Sequence, residues 1–459
     1  MADDISVGVG EYTIVGSMSK LEGFIHEQME TWQVPGVAVG IFDGGDVEFA
    51  GFGITNIETG QPVRPETLFQ IGSISKIFTA TLAMTLVDEG RLDLDTPIVT
   101  YVPELPLSDR DARAQITARH LLTHRSGFYG DRFDDQGDGD DALERAVRAF
   151  GDLPQVTAPG ELYTYCNAGL DLVGRAIENI LGQTFESAMR ERVFTPLGLE
   201  RSTYFAREAI RHSVSVGHQV GGEDGQTVAD PWPIPRRSNP AGGITTNAPE
   251  LIRFAVMHLR RGTIGDHRVI SEVSARAMTS SIEADYESRR GLGWVMRSLG
   301  GLQTLEHGGG TNGFMSRLIL IPEQNYAIAV LTNGDRGTPM HAAVTKKAIE
   351  QRFGVSIAAP ERIRLAPEKL QRFAGAFVHQ LGDSTIVVDD GGLKMKRLSR
   401  NAFTGEEQDL GIIRISPISE TAFVIEEGPL VGSIGELISD EGGAIRFLRM
   451  NGRLLQPQA

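Results

Sequence analysis

The chain contains a single cysteine, Cys166, so it can form neither an internal disulfide nor a cysteine-based metal site. Lysine is scarce: Lys20, Lys76, Lys346, Lys347, Lys369, Lys394 and Lys396 are the only ones among 44 basic residues. Positive charge is short overall, with a formal net charge of −16. This argues against nucleic acid or an anionic membrane as a partner, because Lys and Arg would have to supply the phosphate contacts. No apolar run approaches the roughly 20 residues of a membrane helix. A G-x-S-x-G is missing as well, which disfavours an α/β-hydrolase, and no self-similar period runs along the chain. The opening "MADDISVGVGEYTIVG" has no basic n-region, apolar h-region or cleavage site. As written the chain reads as cytoplasmic, or as periplasmic or secreted if a signal peptide has been removed.

What is present is the balance of a globular protein, 41% apolar and 23% charged over 459 residues, enough for two or three domains. Residues 19–33 show the periodicity of an amphipathic helix, with Leu21, Phe24, Ile25 and Met29 on one face. "GVAVGIFDGGDVEFAGFG" predicts a hairpin, and "KIFTATLAMTLVDEG" a helix apolar nearly all round and therefore buried. The pattern is mainly helical from about 108 to 290. Strand-like runs return at "LGWVM", "GFMSRLILIP" and "NYAIAVLTNG", before a helix at about 338–353. Strands and a helix at both ends around a helical middle predict an α+β domain over 1–353, its sheet assembled from distant segments. Residues 354–366 read as a linker. Short alternating runs over 367–459 predict a small antiparallel barrel or sandwich.

Two stretches carry Ser-x-x-Lys, "GSMSKL" and "GSISKI". In the first, Ser19 and Glu22 fit a capping box at the start of the amphipathic helix, which leaves Lys20 in solvent. In the second, Ser73 and Lys76 share one face at the start of the buried helix. A helix N-terminus offers unpaired N–H groups to an oxyanion. Ser73 could also serve as an N-cap, but a buried lysine must find a partner or lose its proton, and a neutral amine is a general base. From 21 to 345 every basic residue except Lys76 is arginine or histidine. Arginine cannot be deprotonated near neutral pH, whereas a desolvated lysine can. Ser73 and Lys76 are therefore the candidate nucleophile and base.

Such a pair needs a proton relay and an oxyanion hole. "ELYTYCNAGL" offers Tyr165, whose phenol should be lowered beside a lysine, and Asn167, which also suits the N-cap of the next helix. "LEHGGGTNGF" places His307, Gly309 and Gly310 at a strand start, where glycines let a substrate backbone approach. Alone, it equally fits a flexible turn with a surface histidine.

Taken in order, Ser-x-x-Lys (Ser73, Lys76), Tyr-x-Asn (Tyr165, Asn167) and His-x-Gly (His307, Gly309) resemble the class C β-lactamase and low-molecular-weight penicillin-binding protein group, which includes D-aminopeptidases, alkaline D-peptidases and serine carboxylesterases. "HLLTHRSGF", "PLGLERS" and "NPAGGITTNAPELIRF" are similar to further landmarks of that group, so the resemblance covers about residues 18–353. It implies a β-lactamase/transpeptidase-like fold: an antiparallel sheet flanked by terminal helices, with a mostly helical subdomain. It implies Ser73 as nucleophile, Lys76 as base, Tyr165 as proton relay and Asn167 as binder of the substrate amide. The oxyanion hole would be the N–H groups of Ser73 and Gly310. The C-terminal segment is similar to the lipocalin-like barrel of some peptidases in the group. The group's carboxylate-gripping members carry lysine where this chain has His307, and a neutral histidine should hold a carboxylate weakly. The expected substrate is therefore a D-amino-acid peptide or amide, with an ester as the alternative. A weak β-lactamase or a non-catalytic penicillin-binding sensor of the same fold remains open. No cofactor or metal is implied, and a homo-oligomer through the C-terminal domain is left open.

Three signals are declined. His120 and His124 in "HLLTH" have zinc-like spacing, but Leu121 stands where the zincin glutamate belongs, so a structural role is expected. "DDQGDGDDALER" has Gln136 and Arg145 at positions where an EF-hand needs Asp/Asn and Glu, and reads as a solvated rim. Cys166 alternates with Tyr165 and Asn167 and should pack away from the cleft.

Overall fold

The two runs around the Gly-Asp turn form the expected hairpin, β1 (Gly36–Asp43) with β2 (Asp46–Gly53), in unbroken antiparallel register. The structure, a computed structural model, describes residues 16–221, 225–283, 285–286, 288–401, 405–428 and 430–458. The acidic opening up to Val15 lies outside the described residues. Six later strands join the hairpin: β3 (Ile282–Glu283), β4 (Arg289–Arg290), β5 (Val295–Leu299), β6 (Leu302–Thr311), β7 (Phe314–Ile321) and β8 (Tyr326–Thr332). All pair antiparallel, in the order β2-β1-β8-β7-β6-β5-β4-β3. β3 and β4 fall inside the stretch read as helical. Two residues each are too few to show alternation, and pairing at the sheet edge defines them.

Alternation along the strands divides the core. Val37, Val39 and Ile41 with Ile328 and Val330 face α1 (Gly16–Trp32) and, distant in sequence but packed beside it, the helix Gly337–Phe353. Ala38, Phe42, Ala329 and Leu331 face the opposite side, where α2 (Ser75–Asp88) lies in the larger cluster. Twelve of the fourteen residues of α2 are buried, as its uniform hydrophobicity requires.

The capping box expected at Ser19 does not form. The helix already begins at Gly16, and Ser19 Oγ donates back to the Gly16 carbonyl (2.9 Å). The first turn is capped by Glu48 of β2, which accepts from the N–H groups of Ser17 (3.1 Å) and Met18 (2.8 Å). A carboxylate there satisfies orphan donors and complements the helix dipole. Ser19 and Lys20 are exposed, and neither faces a cleft partner.

Residues 354–366 contain no helix or strand. Eight strands follow: β9 (Gly375–Val378), β10 (Gly382–Asp389), β11 (Gly392–Arg400), β12 (Glu407–Pro417), β13 (Ala422–Ile425), β14 (Ile434–Ser439), β15 (Ile445–Met450) and β16 (Arg453–Pro457). They close into an antiparallel barrel, the first strand pairing with the last at Phe377 and Pro457. Leu393, Met395, Ile413, Ile415, Phe423 and Leu448 fill it. Closure removes sheet edges and decides between barrel and sandwich.

Candidate active site

Ser73 lies in a 3₁₀ turn, Gly72–Ile74, that leads into α2 rather than within the helix itself. The turn exists because Gly72 adopts φ +50° while β6 presses on it. A Cβ there would stand 2.5 Å from the Gly310 nitrogen, so only glycine fits. This places Ser73 half-buried over the first turn of α2. Lys76, one turn on, is fully buried, with Nζ 3.0 Å from Ser73 Oγ and 2.6 Å from the Ala241 carbonyl. Burial lowers its pKa to about 7; Asp171 and Asp131 pull it up, and Arg453 pushes it down. Near neutrality the amine is therefore half deprotonated. One N–H donates to Ala241, and the lone pair can take the proton of Ser73.

Tyr165 stands over the same pair, with Lys76 Nζ 4.9 Å from its ring centroid. Its phenol is not lowered as expected beside a lysine. Burial pushes it up to about 12, against the pull of the Ser73 hydroxyl and Arg453. Desolvating the phenolate outweighs the pull of a lysine that is itself only partly charged. Tyr165 is thus a neutral phenol, able to give a proton and take one back. Asn167 does not cap the helix Asn167–Leu181, whose N-cap is Cys166. It is the first helical residue, buried, and donates from Nδ2 to Asp131 Oδ1 (2.7 Å). Cys166 is fully buried, in keeping with a packing role.

His307 and the glycines belong to the second half of a ten-residue strand, β6, and not to a turn. Pairing of β5 with β6 ends at Glu306, so Gly308, Gly309 and Gly310 keep an unpaired edge on that side. Gly308 and Gly310 are exposed. An extended substrate can add there as a further strand. His307 is buried, and desolvation with the nearby Lys76 holds its pKa near 3. Its Nδ1 lies 2.5 Å from the Gly308 carbonyl. It is therefore a neutral group at the cleft wall.

The cleft holds about 510 Å³, and the barrel forms one of its sides through Val431–Ile434, Glu436, Arg449 and Asn451. Four arginines line it against three carboxylates: Arg290 pairs with Asp285 (3.1 Å), Arg449 with Glu436 (2.7 Å), and Arg317 (2.7 Å) and Arg297 (3.2 Å) share Glu306. No group of side chains able to hold a metal occurs among the described residues, and no helix among them is long and apolar enough to cross a membrane.

Three residues of the site were not read from the sequence. His124, set aside with "HLLTH", stacks on Tyr165 (ring centroids 4.4 Å apart) and accepts from the Cys166 N–H (3.2 Å). His120 instead completes a capping box with Thr117. Asp131, three residues before the acidic stretch read as a solvated rim, is buried and ion-paired with Arg453 of the barrel (2.6 Å). The fixed spacing of the histidines was visible in the sequence; nothing singled out Asp131 or Arg453.

The β-lactamase family profile matches residues 21–352. Penicillin-binding protein 4 of Amycolatopsis lactamdurans is 35% identical over 354 residues, 73% of this chain and 92% of that protein. Among solved structures, the crystal structure of SurE with D-Leu shares the fold at 23% identity (TM-score 0.74), covering 96% of this chain and 99% of that one. The octameric penicillin-binding protein homologue from Pyrococcus abyssi does so at 24% identity (TM-score 0.66), with the same coverage.

Proposed function

The chain belongs to the β-lactamase family of serine hydrolases, and within it we propose that Ser73 forms an acyl-enzyme with D-amino-acid peptides or amides. The observation that carries this reading is Ser73 Oγ 3.0 Å from a buried amine held at about 7. Lys76 takes the hydroxyl proton as Ser73 Oγ bonds to the scissile carbonyl carbon. The oxyanion is held by the N–H groups of Ser73 and Gly310, with β6 bearing the substrate backbone. The amide bond then breaks as the Tyr165 phenol protonates the leaving amine and recovers its proton from the Lys76 ammonium. Water, deprotonated by the same relay, releases the acid. Asn167 orients the substrate amide. Neutral His307 favours substrates that do not need a carboxylate gripped at that wall. The fold shared with SurE, crystallised with D-Leu, supports a D-residue in the substrate.

A carboxylesterase is the second reading, favoured by the same neutral His307, since an ester brings no charge to the cleft. The test is intact-mass analysis after penicillin and after a fluorophosphonate, alongside turnover of D- and L-alanine p-nitroanilide and p-nitrophenyl butyrate. An adduct mapped to Ser73 with preference for the D-anilide is expected. An adduct elsewhere sinks the acyl-enzyme on Ser73; turnover of the butyrate alone selects the esterase; a permanent penicillin adduct with no substrate released selects a sensor. The pH dependence follows from Lys76. Its neutral form is the active one, so kcat/KM should rise as pH increases through about 7, with the limb absent from 5 to 8 if lysine is not the base. No falling limb is expected below about pH 10, because Tyr165 titrates near 12. A homo-oligomer through the barrel is proposed on the strength of the octameric homologue, and a monomer mass in light scattering would end it.

A further inference from the structure

The barrel does more than wall the cleft. The turn between β15 and β16 reaches the segment that carries Tyr165 and binds it through main chain: the Tyr165 N–H donates to the Gly452 carbonyl (2.8 Å), and the Leu454 N–H to Thr164 Oγ1 (3.3 Å). Tyr129 Oη donates to the Leu454 carbonyl (2.6 Å) beside them. Arg453, between these contacts, makes a two-pronged pair with Asp131, Nε to Oδ2 at 2.6 Å and a terminal nitrogen to Oδ1 at 3.0 Å. Asp131 Oδ1 also accepts from Asn167, and the Arg453 guanidinium lies 4.9 Å from the Tyr165 ring centroid. One barrel side chain thus touches Tyr165 directly and Asn167 through a single carboxylate.

We propose that Arg453 is a positioning residue of the active site, which fixes Tyr165 and Asn167 through Asp131 and so makes the barrel a working part of the catalytic machinery. The inference rests on the acyl-enzyme reading above. Its physical basis is charge balance as well as geometry. Asp131 is a buried carboxylate. Burial favours its neutral acid, yet Arg453 holds it below the usual carboxylate range. Without Arg453 that anion would stand uncompensated near Lys76 and would favour the protonated, inactive ammonium. The other cations nearby are engaged elsewhere: Arg397 donates to Ser384 Oγ (2.9 Å) and Arg290 pairs with Asp285 (3.1 Å). His379 lies 4.0 Å from Asp131, but burial holds it near 4, so it is neutral. His124 and His307, both acted on by Lys76, are held below their usual range by burial. On the other side of Lys76, burial raises Asp171 to about 7 in spite of its pair with Arg237 (2.9 Å), so it is only partly charged near neutrality, and Cys166 is held protonated by burial.

The test uses the full chain. In Arg453→Gln, kcat should fall on the order of 10²-fold from misplacement of Tyr165 and Asn167. The acid limb of kcat/KM should move up by about one pH unit as the Asp131 charge acts on Lys76. Arg453→Lys should return the limb towards neutrality, because charge suffices for that, while leaving kcat low, because a lysine cannot make the two-pronged contact. Asp131→Asn/Arg453→Gln, which removes both charges, should also return the limb and keep kcat low. If Arg453→Gln does not accumulate, those two variants carry the test, and wild-type kcat in the double variant overturns the positioning role. A limb unmoved in Arg453→Gln overturns the charge-balancing role. Wild-type enzyme that forms no Ser73 adduct condemns the acyl-enzyme reading instead, so the two failures are distinguishable.

Discussion

Lys76→Arg is expected to abolish turnover while leaving the chain folded, with kcat/KM down by roughly 10⁴-fold or more. The substitution keeps a donor for the Ala241 carbonyl, a positive charge and a long aliphatic stem, so a structural role for Lys76 would largely survive it. What it removes is the ability to become neutral. Lys76 has no exposed surface, and that burial brings its amine to about 7; a guanidinium in the same place stays protonated at every working pH. With no lone pair 3.0 Å from Ser73 Oγ, the hydroxyl has no acceptor for its proton. Ser73→Ala should lose as much, for want of the nucleophile, and should take up neither penicillin nor a fluorophosphonate. The measurements are steady-state kinetics and intact mass, with thermal melting to show that both variants fold. Near wild-type activity in Lys76→Arg would refute the base; in Ser73→Ala it would refute the acyl-enzyme.

How much of this was legible follows from how local each interaction is. Ser73 and Lys76 are one turn apart, and the apolar run behind them announces a buried helix, so both the spacing and the cost of the lysine can be read in fifteen letters. The near-continuous apolar runs of β1, β7 and β8 likewise announce strands, and in the fold these strands are covered on both faces. The errors share one cause, a partner from far along the chain. Ser19 resembled a cap because Glu48, 30 positions away from Met18, could not be seen to do the capping. Tyr165 was expected to titrate low because proximity to Lys76 can be guessed, whereas the depth of burial that drives it to about 12 cannot. Asn167 looked like an N-cap until Asp131 claimed its amide. Arg453 lies 322 positions from Asp131, in a strand whose alternation says only that it belongs to a barrel. Periodicity identifies elements; it does not say which loop of one will reach into another.

Gly309→Ala is expected to be the most damaging single methyl that can be added to this site. The added carbon would stand 1.9 Å from the Ile71 carbonyl oxygen and 2.6 Å from Ser316 Oγ, well inside van der Waals contact. Neither neighbour can yield cheaply. Ser316 belongs to β7 and donates to that same Ile71 carbonyl (2.8 Å), a bond that latches the strand pair to the turn carrying Ser73, the proposed nucleophile. β7 in turn is fixed on its other side by β8. The strain must therefore fall on the Ile71–Ser73 turn, which moves Ser73 Oγ relative to Lys76 and to the Gly310 N–H. Overpacking of this kind costs about 1–3 kcal/mol in stability, and a displacement near 1 Å costs on the order of 10²-fold in kcat. Gly308→Ala is the matched control for folding, since a Cβ there meets only the Ser316 carbonyl at 3.6 Å and should leave the melting temperature unchanged. A Gly309→Ala protein that melts and turns over like wild type would mean that Ser73 is held in place by something other than β6, and the oxyanion hole assigned to Gly310 would have to be abandoned with it.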